Sequence, residues 1–507
     1  MDISKFFLGL KLDSPSSTPL YLQLAGYLAG KIKEENLLPG AKLPPERELA
    51  SLTGVSRTTA INAYRHLEQQ NLIRTKIGSG TFVAENSSTQ PNNQLAVPWS
   101  QLFIPFPQSP VSSILRELIS ASATDDNISF SAGMPDPAFY PLETLKSLIN
   151  EHSNLLKGIN FGHFPTEGYE PLRHTIAAML ASQNIAAQPE NIMVLSGSQQ
   201  GLYLISKAML EPGDYVVIES PSYIGANQTF QNTGARLLTL PASGSLNLNL
   251  LEDFLIRYRP KLIYLIPTFQ NPTGRVIPEN DRKAMLQLAS RHRVVIVEDD
   301  PYGQLYYEKE PPLSLKSLDS YGGVIYLSTF SKVLFPGLRT GFIAADPVLI
   351  NRLAREKQYI DLHSSNLSQL LVHNFLTDGY LPGHLKKVRD EYRKKRDTMA
   401  RAIRQQCGDE ITFTLPGGGF YLWCHLHAPL TSRMLLHETA KTGISFVPGE
   451  VFYASTAGEQ ELRLCFTSQN VALISEGIRR LAKTLAQLSK IKKSGASLST
   501  ASIRPII

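Results

Sequence analysis

Lys332 ends the segment Ser328-Thr329-Phe330-Ser331-Lys332, directly after the apolar run Val324-Ile325-Tyr326-Leu327 and seven residues before Arg339. That setting predicts a lysine amine at the C-terminal end of a strand, able to form a Schiff base with an aldehyde and later to shuttle protons. Asp299 follows the run Val294 to Val297 in Val297-Glu298-Asp299-Asp300-Pro301-Tyr302. A carboxylate aimed into the same crevice can keep a pyridine nitrogen protonated, which makes the ring an electron sink for a carbanion. Asn271, in Asn271-Pro272-Thr273-Gly274, and Tyr302 can donate to a phenolate oxygen, while Tyr223 in Ser220-Pro221-Ser222-Tyr223 offers a ring face for stacking. In Ser196-Gly197-Ser198-Gln199-Gln200-Gly201 small residues precede a helix start whose free amides can seat a phosphate. Arg339 and the hydroxyls of Ser331 and Thr329 can add charge and donors to that seat.

These segments share one pattern, an apolar strand followed at once by polar or glycine-rich residues, and such strand ends line the crevice where open α/β sheets bind ligands. From about Ser112 onward, short β-branched runs alternate with helical segments, including Asn191 to Leu195, Tyr215 to Ile218, Leu262 to Ile266 and Val294 to Val297. The expected fold is α/β, a mostly parallel sheet covered by helices. A chain of 507 residues exceeds one compact core, so two to four units are expected. Hydrophobic and charged contents of 42% and 19% are ordinary for a globular protein, and a formal charge of +6 is too modest to imply nucleic-acid binding by itself.

Cys407, Cys424 and Cys465 leave an odd thiol under any pairing and show no metal-ligand spacing, which fits a reducing cytoplasm. Phe6 to Leu10 is too short for a signal-peptide core, and no run of about 18 apolar residues occurs. The reading is a cytoplasmic protein with no metal and no membrane partner. After Glu476 the chain holds only basic charges, Arg479, Arg480, Lys483, Lys490, Lys492, Lys493 and Arg504, read as a helix end and, over 486–507, a disordered basic tail, with an auxiliary phosphate contact as the alternative.

The amino-terminal segment has a different organisation. Leu43-Pro44-Pro45-Glu46-Arg47-Glu48-Leu49-Ala50 predicts a short helix, Gly54 a tight turn, and Ser56 the N-cap of a second helix with Ala60, Ile61, Tyr64 and Leu67 facing a core. Arg57, Thr58 and Thr59 then sit at the start of a helix suited to the major groove. Leu72-Ile73-Arg74 and Thr81-Phe82-Val83, joined through Gly78-Ser79-Gly80, predict a hairpin wing. The polar stretch Asn86 to Gln94 cannot bury enough surface to fold, so a linker is placed over 86–111, between a winged helix-turn-helix at 17–85 and a second module at 112–485.

The segments of the first module, from Pro19-Leu20-Tyr21 to Gly80-Thr81-Phe82-Val83, resemble the GntR-type winged helix. The resemblance implies DNA contacts from Arg47, Ser56, Arg57, Thr58, Thr59 and Gly80, and a double-stranded DNA operator as partner. The family's usual serine or alanine before the glutamate is Pro45 here. The second module resembles the class I/II aminotransferases of fold type I, with a smaller C-terminal subdomain and pyridoxal 5′-phosphate as cofactor. It implies Lys332 as aldimine lysine, Asp299 as pyridinium partner, and Asn271 with Tyr302 as phenolate partners. It further implies Ser198, Gln199, Ser331 and Arg339 at the phosphate, Tyr223 stacked on the ring, Arg463 in Leu462-Arg463-Leu464 clamping a substrate carboxylate, and Gly133 beside the substrate. The family's tyrosine five residues before Gly168, which reaches the phosphate of the neighbouring subunit, is His163 in this chain.

The fusion resembles the MocR branch of GntR-type regulators. The resemblance implies a head-to-tail homodimer that senses a small amino compound, or the cofactor itself, and regulates transcription. An active aminotransferase of aminoadipate or aromatic type with a vestigial DNA-binding domain is the alternative, and a DNA-binding scaffold with a dead pocket a third. Effector candidates span a vitamin B6 form, γ-aminobutyrate, taurine and D- or L-amino acids.

Overall fold

In the computed structural model residues 10, 12, 18–33, 37, 40–76, 80–84, 127–151, 162–242, 246–427 and 430–493 are described, and the chain divides into two compact units, 1–106 and 107–507. The expected linker, 86–111, lies outside the described residues.

The first unit holds α1 (Leu20–Lys33), α2 (Glu46–Thr53), α3 (Arg57–Gln69), β1 (Ile73–Lys76) and β2 (Gly80–Val83). Gly54 ends α2 in the left-handed region at φ 68, donating its N–H to Ala50 O. Two residues on, Ser56 caps α3, its Oγ accepting the Thr59 N–H at 3.1 Å. That tight turn sets α2 and α3 around a core of Leu24, Leu28, Leu49, Ala60, Ala63, Tyr64 and Leu67. Ala63 rather than Ile61 takes the buried position, because the inward stripe steps by three and four residues from Ala60 through Ala63 and Tyr64 to Leu67. The wing pairs Ile73 with Val83 in antiparallel register. Residues 77–79 of its tip lie outside the described residues.

In the second unit the strands of a seven-stranded sheet are β3 (Ile192–Leu195), β4 (Tyr215–Ser220), β5 (Arg236–Pro241), β6 (Leu262–Leu265), β7 (Val295–Asp299), β8 (Val324–Thr329) and β9 (Gly341–Ala344), mostly buried apart from the edge strand β5. Their order is β3-β9-β8-β7-β6-β4-β5, parallel except for β9, which opposes both its neighbours. Strands buried on both faces read as unbroken apolar runs, here Ile192 to Leu195 and Leu262 to Leu265. Gly341 at the start of β9 faces both Thr329 and Leu195, so the ends of β3 and β8 lie level with the entry to β9. Asp299 pairs with Leu327, which brings the end of β7 to the same rim.

Helices α4 (Ser198–Met209), α5 (Pro347–Gln358), α6 (Asn366–Thr377), α7 (Tyr380–Cys407) and α8 (Val471–Lys493) cover the sheet and build the smaller subdomain. There an antiparallel sheet runs β10 (Ile411–Phe413), β11 (Tyr421–Leu426), β13 (Glu461–Cys465), β12 (Val447–Pro448), with Trp423 opposite Arg463. The expected disordered tail from 486 is corrected here: α8 continues to Lys493, because Leu485 and Leu488 extend the apolar stripe of Ile474, Ile478 and Leu481 into the core. Residues 494–507 lie outside the described residues. All three cysteines are buried free thiols. No described helix is long and apolar enough to cross a membrane.

Candidate functional site

The rim where β3, β7 and β8 end gathers the residues singled out above. Lys332, three residues beyond β8, donates from Nζ to the Gly133 carbonyl at 2.7 Å. Burial pushes its ammonium down to about 8; Arg463 and Arg339 push the same way, against the pull of Cys465 and Asp299. Roughly a tenth of the amine is then uncharged at pH 7, far more than for an ordinary lysine, which favours its use as a nucleophile.

Asp299, closing β7, is 3% exposed. Its Oδ2 accepts from Tyr264 Oη at 2.8 Å, while Oδ1 is buried with no hydrogen-bond partner among the described residues. Burial pushes the carboxyl up to about 7, opposed by the Tyr264 hydrogen bond and by Lys332, and assisted by Asp300.

Arg463 reaches in from β13. Its Nη1 donates to Asn271 Oδ1 at 3.0 Å and its Nη2 to the Ser131 carbonyl at 2.7 Å, and Nε is buried without a partner among the described residues. The guanidinium lies 4.2 Å from the Tyr421 ring centroid and 4.9 Å from that of Phe452, in contacts suited to a planar cation. With its Oδ1 engaged, Asn271 has its amide nitrogen left to donate. Tyr302 and Tyr421 hydroxyls hydrogen-bond at 2.9 Å, and a Cβ at Gly133 would fall 2.0 Å from Tyr421 Oη. Gly133 is thus required by the approach of that phenol.

Of the residues expected at the phosphate, Arg339, Ser198 and Gln199 come together at the N-terminus of α4. Arg339, in the left-handed region at φ 48, donates from Nη2 to Ser196 O at 2.8 Å. It lies so close over the turn that a Cβ at Gly197, itself at φ 105, would meet Nη2 at 2.5 Å. Ser198 and Gln199 open α4, whose N-cap Gly197 provides no side-chain cap. The Gln199 side chain is spent elsewhere, donating to Thr229 Oγ1 at 2.8 Å and accepting from Tyr223 Oη at 3.2 Å, which leaves its backbone amide for an anion. Ser331 Oγ is buried without a partner among the described residues. Thr329 is excluded as a donor here, because its hydroxyl bonds Thr340 O and the Ser331 amide. Tyr223 stands within electrostatic range of Asp299, Arg463 and Arg339, and burial pushes its phenol up to about 12.

In the first unit Arg47, Ser56, Arg57 and Thr58 are exposed and Thr59 is half-buried at the start of α3. Ser56 Oγ lies 2.8 Å from Thr59 Oγ1, and Arg57 Nη2 lies 3.6 Å from Glu46 Oε2. Both partners of that ion pair are exposed, so it holds Arg57 weakly and leaves it available to a stronger anion. Gly80, at φ 113, packs against the Lys42 stem. His163 is exposed with its ring edge-on to His363, 5.5 Å between centroids.

Residues 126–481 match the family described as aminotransferase class I and II. The chain belongs to that family. Residues 20–83 match the gntR family of bacterial regulatory proteins, so a GntR-type helix-turn-helix is fused to the aminotransferase-family unit. The chain is 37% identical over 388 residues to aromatic-amino-acid aminotransferase 1 of Thermococcus litoralis, covering 75% of this chain and 93% of that protein. It is 31% identical over 474 residues to the uncharacterized HTH-type transcriptional regulator YisV of Bacillus subtilis, covering 93% and 97%. Among solved structures it resembles LysN, an alpha-aminoadipate aminotransferase of Thermus thermophilus complexed with N-(5′-phosphopyridoxyl)-L-leucine, at 37% identity and a TM-score of 0.72, covering 78% of this chain and all of that one. The second unit is a fold type I aminotransferase domain, and family and neighbour imply pyridoxal 5′-phosphate as its cofactor. The residues present fit that group. Among the described residues, an acid oxygen and a serine hydroxyl buried without partners, and a helix N-terminus without a side-chain cap under an arginine, suit its ring nitrogen and phosphate.

Tyr264 and Tyr421 escaped the sequence reading. Tyr264 sits in a buried apolar run where only pairing with β7 reveals that its hydroxyl meets Asp299. Tyr421 carried a usable signal, the run Gly417-Gly418-Gly419 just before its strand. A Cβ at Gly418 would strike the Phe269 ring at 2.4 Å, so the glycines permit close packing next to the crevice.

Proposed function

We propose that the protein is a pyridoxal phosphate-dependent, DNA-binding transcriptional regulator that senses a small amino compound, or the cofactor itself, through its aminotransferase unit. The observation that carries this reading is the union in one chain of a GntR-type helix-turn-helix with a complete lysine, acid and arginine set, in an order matched over 93% of the chain by a relative named as a transcriptional regulator. When bound, pyridoxal phosphate supplies an aldehyde that condenses with amines and a pyridinium ring that withdraws electrons from the attached carbon.

The chain's own groups do the rest. Lys332 would provide the amine that holds the aldehyde and would move protons at its Nζ, and the unpartnered Asp299 Oδ1 would accept from the ring nitrogen. Tyr302, whose hydroxyl pairs with that of Tyr421, and the Asn271 amide would donate to the phenolic oxygen. Arg463 takes an effector carboxylate in two parallel hydrogen bonds. Arg47, Ser56, Arg57, Thr58, Thr59 and Gly80 contact an operator, the exposed side chains of α3 lying in the major groove.

A second copy completes the molecule in a head-to-tail dimer. Its support is the exposed apolar group Tyr359, Ile360, Leu362 and Leu367, next to His363 and hence to His163. Ligand shifts the regulator only through its different affinity for two states of the dimer.

The test is operator binding by the full-length protein, followed by anisotropy while candidate amino compounds are added. A ligand-dependent change in affinity, bending or salt slope, absent in Lys332→Ala, is the expected result. No change with any amine that alters the cofactor's visible spectrum overturns the reading. The intact lysine, acid and arginine also suit amino transfer, and steady-state turnover without sequence-specific DNA binding would establish that role instead.

A further inference from the structure

Beneath the phosphate-side turn lies an ion pair that no strand end accounts for. The Lys357 side chain, near the end of α5, has 0% exposure, and its Nζ donates to Asp361 Oδ1 at 2.6 Å. Asp361 Oδ2 accepts from Ser196 Oγ at 3.0 Å and from Gln200 Nε2 at 2.8 Å. Gln200 Oε1 accepts the Ser196 amide at 2.8 Å, Arg339 Nη2 donates to the Ser196 carbonyl at 2.8 Å, and the Ser196 hydroxyl also lies 3.1 Å from Ser364 Oγ. Amide, carbonyl and hydroxyl of Ser196 are all committed, so the residue cannot turn and the amides that follow it keep one direction.

Three donors converge on the Asp361 carboxyl, an arrangement suited to a carboxylate facing an ammonium. Burial alone would raise Asp361, yet the hydrogen bonds from Lys357, Gln200 and Ser196 hold its carboxyl below the usual range, and burial pushes the Lys357 ammonium down. A fully enclosed lysine without its carboxylate would be costly, which ties the two residues together.

We propose that Asp361, fixed by Lys357, is a positioning residue for the cofactor's phosphate. It locks the Ser196–Gly197 turn so that the first amides of α4 and the Arg339 guanidinium converge on one dianion. The proposal rests on the reading that this unit binds pyridoxal phosphate.

Cofactor-free full-length protein is titrated with pyridoxal phosphate and with pyridoxal, which carries the same aldehyde and ring without the phosphate, and visible absorbance is followed. Asp361→Ala weakens pyridoxal phosphate roughly 10- to 100-fold, the size of losing hydrogen bonds to a charged group, and leaves pyridoxal unchanged. Lys357→Met with Asp361→Asn keeps a neutral acceptor for Ser196 and Gln200 and restores the preference for the phosphorylated ligand. If Asp361→Ala does not fold, Ser196→Ala decides, with a smaller loss confined to pyridoxal phosphate. Equal losses for both ligands, or no loss for pyridoxal phosphate, overturn the positioning role. Wild-type protein that binds neither ligand would show that the cofactor reading itself had failed, and the proposal with it.

Discussion

Asp299 and Lys332 illustrate how one crevice sets two groups against their solution behaviour. Asp299 is held up at about 7, so between its unfolded value of 3.8 and about 7 the folded chain binds more protons than the unfolded one. Stability from this group is therefore present at low pH and lost as pH rises through about 7. Above that, enclosing the carboxylate, only partly compensated by Lys332 and Tyr264, costs up to about 4 kcal/mol, from about three pKa units at 1.36 kcal/mol each. Asp299→Asn should accordingly raise the melting temperature of cofactor-free protein at pH 8 and raise it much less at pH 4.5, where only about a quarter of the cost has accrued, while weakening pyridoxal phosphate. Calorimetry at the two pH values checks this, and an equal effect at both would refute the desolvation account. Lys332, pushed down to about 8, gains its uncharged amine as pH rises through that value. The rate at which cofactor-free protein captures pyridoxal phosphate, read by stopped-flow absorbance, should climb through pH 8 and level off. A climb continuing toward 10.5 would mean an ordinary exposed lysine.

Helix α3 separates two roles of Ser56 that a single substitution would merge. Its Oγ caps the Thr59 amide, and its exposed position also offers it to DNA. Ser56→Ala should cost about 1 kcal/mol of local stability through the lost cap. Ser56→Asp restores the cap and adds a favourable charge at the helix N-terminus, yet brings a negative charge against DNA phosphate. The expected ranking is therefore opposite in two assays: Asp above Ala in thermal unfolding of the first unit, Ala above Asp in operator affinity. The same ranking in both would show that Ser56 does not face DNA. Elements of this kind were legible because they obey local rules: the turn glycine, the cap and an apolar stripe, read correctly except at Ile61, all stand within 54–67. So were the rim strands, whose double-sided burial writes an unbroken apolar run. The Tyr264 contact with Asp299 spans 35 residues and the Asp361 contact with Ser196 spans 165, and no periodicity encodes such meetings. Thr329 misled the reading because its setting next to Ser331 could not reveal that Thr340 O takes its hydroxyl.

For the molecule as a whole the decisive quantity is how many winged helices reach one operator. A single recognition helix of this size draws much of its affinity from phosphate contacts, and a second one linked to it binds at a high effective concentration. If two copies join through the surface around Tyr359, which is 88% exposed, and Ile360, which is 48% exposed, paired half-sites should bind more tightly than a single half-site by about 10²- to 10⁴-fold. Tyr359→Glu with Ile360→Glu places two charges in that apolar group and should yield a monomer by sedimentation. Binding to paired half-sites should then fall to the level of one half-site, while single half-site affinity and the fold of each unit stay unchanged. The variant also probes the crevice, because α5 and the Lys357–Asp361 pair lie next to the substituted positions. Pyridoxal affinity should hold, and any drop confined to pyridoxal phosphate would mean that the dimer surface and the phosphate turn are coupled through Asp361. A double variant that remains dimeric would locate the subunit contact elsewhere and remove the argument for avidity through this face.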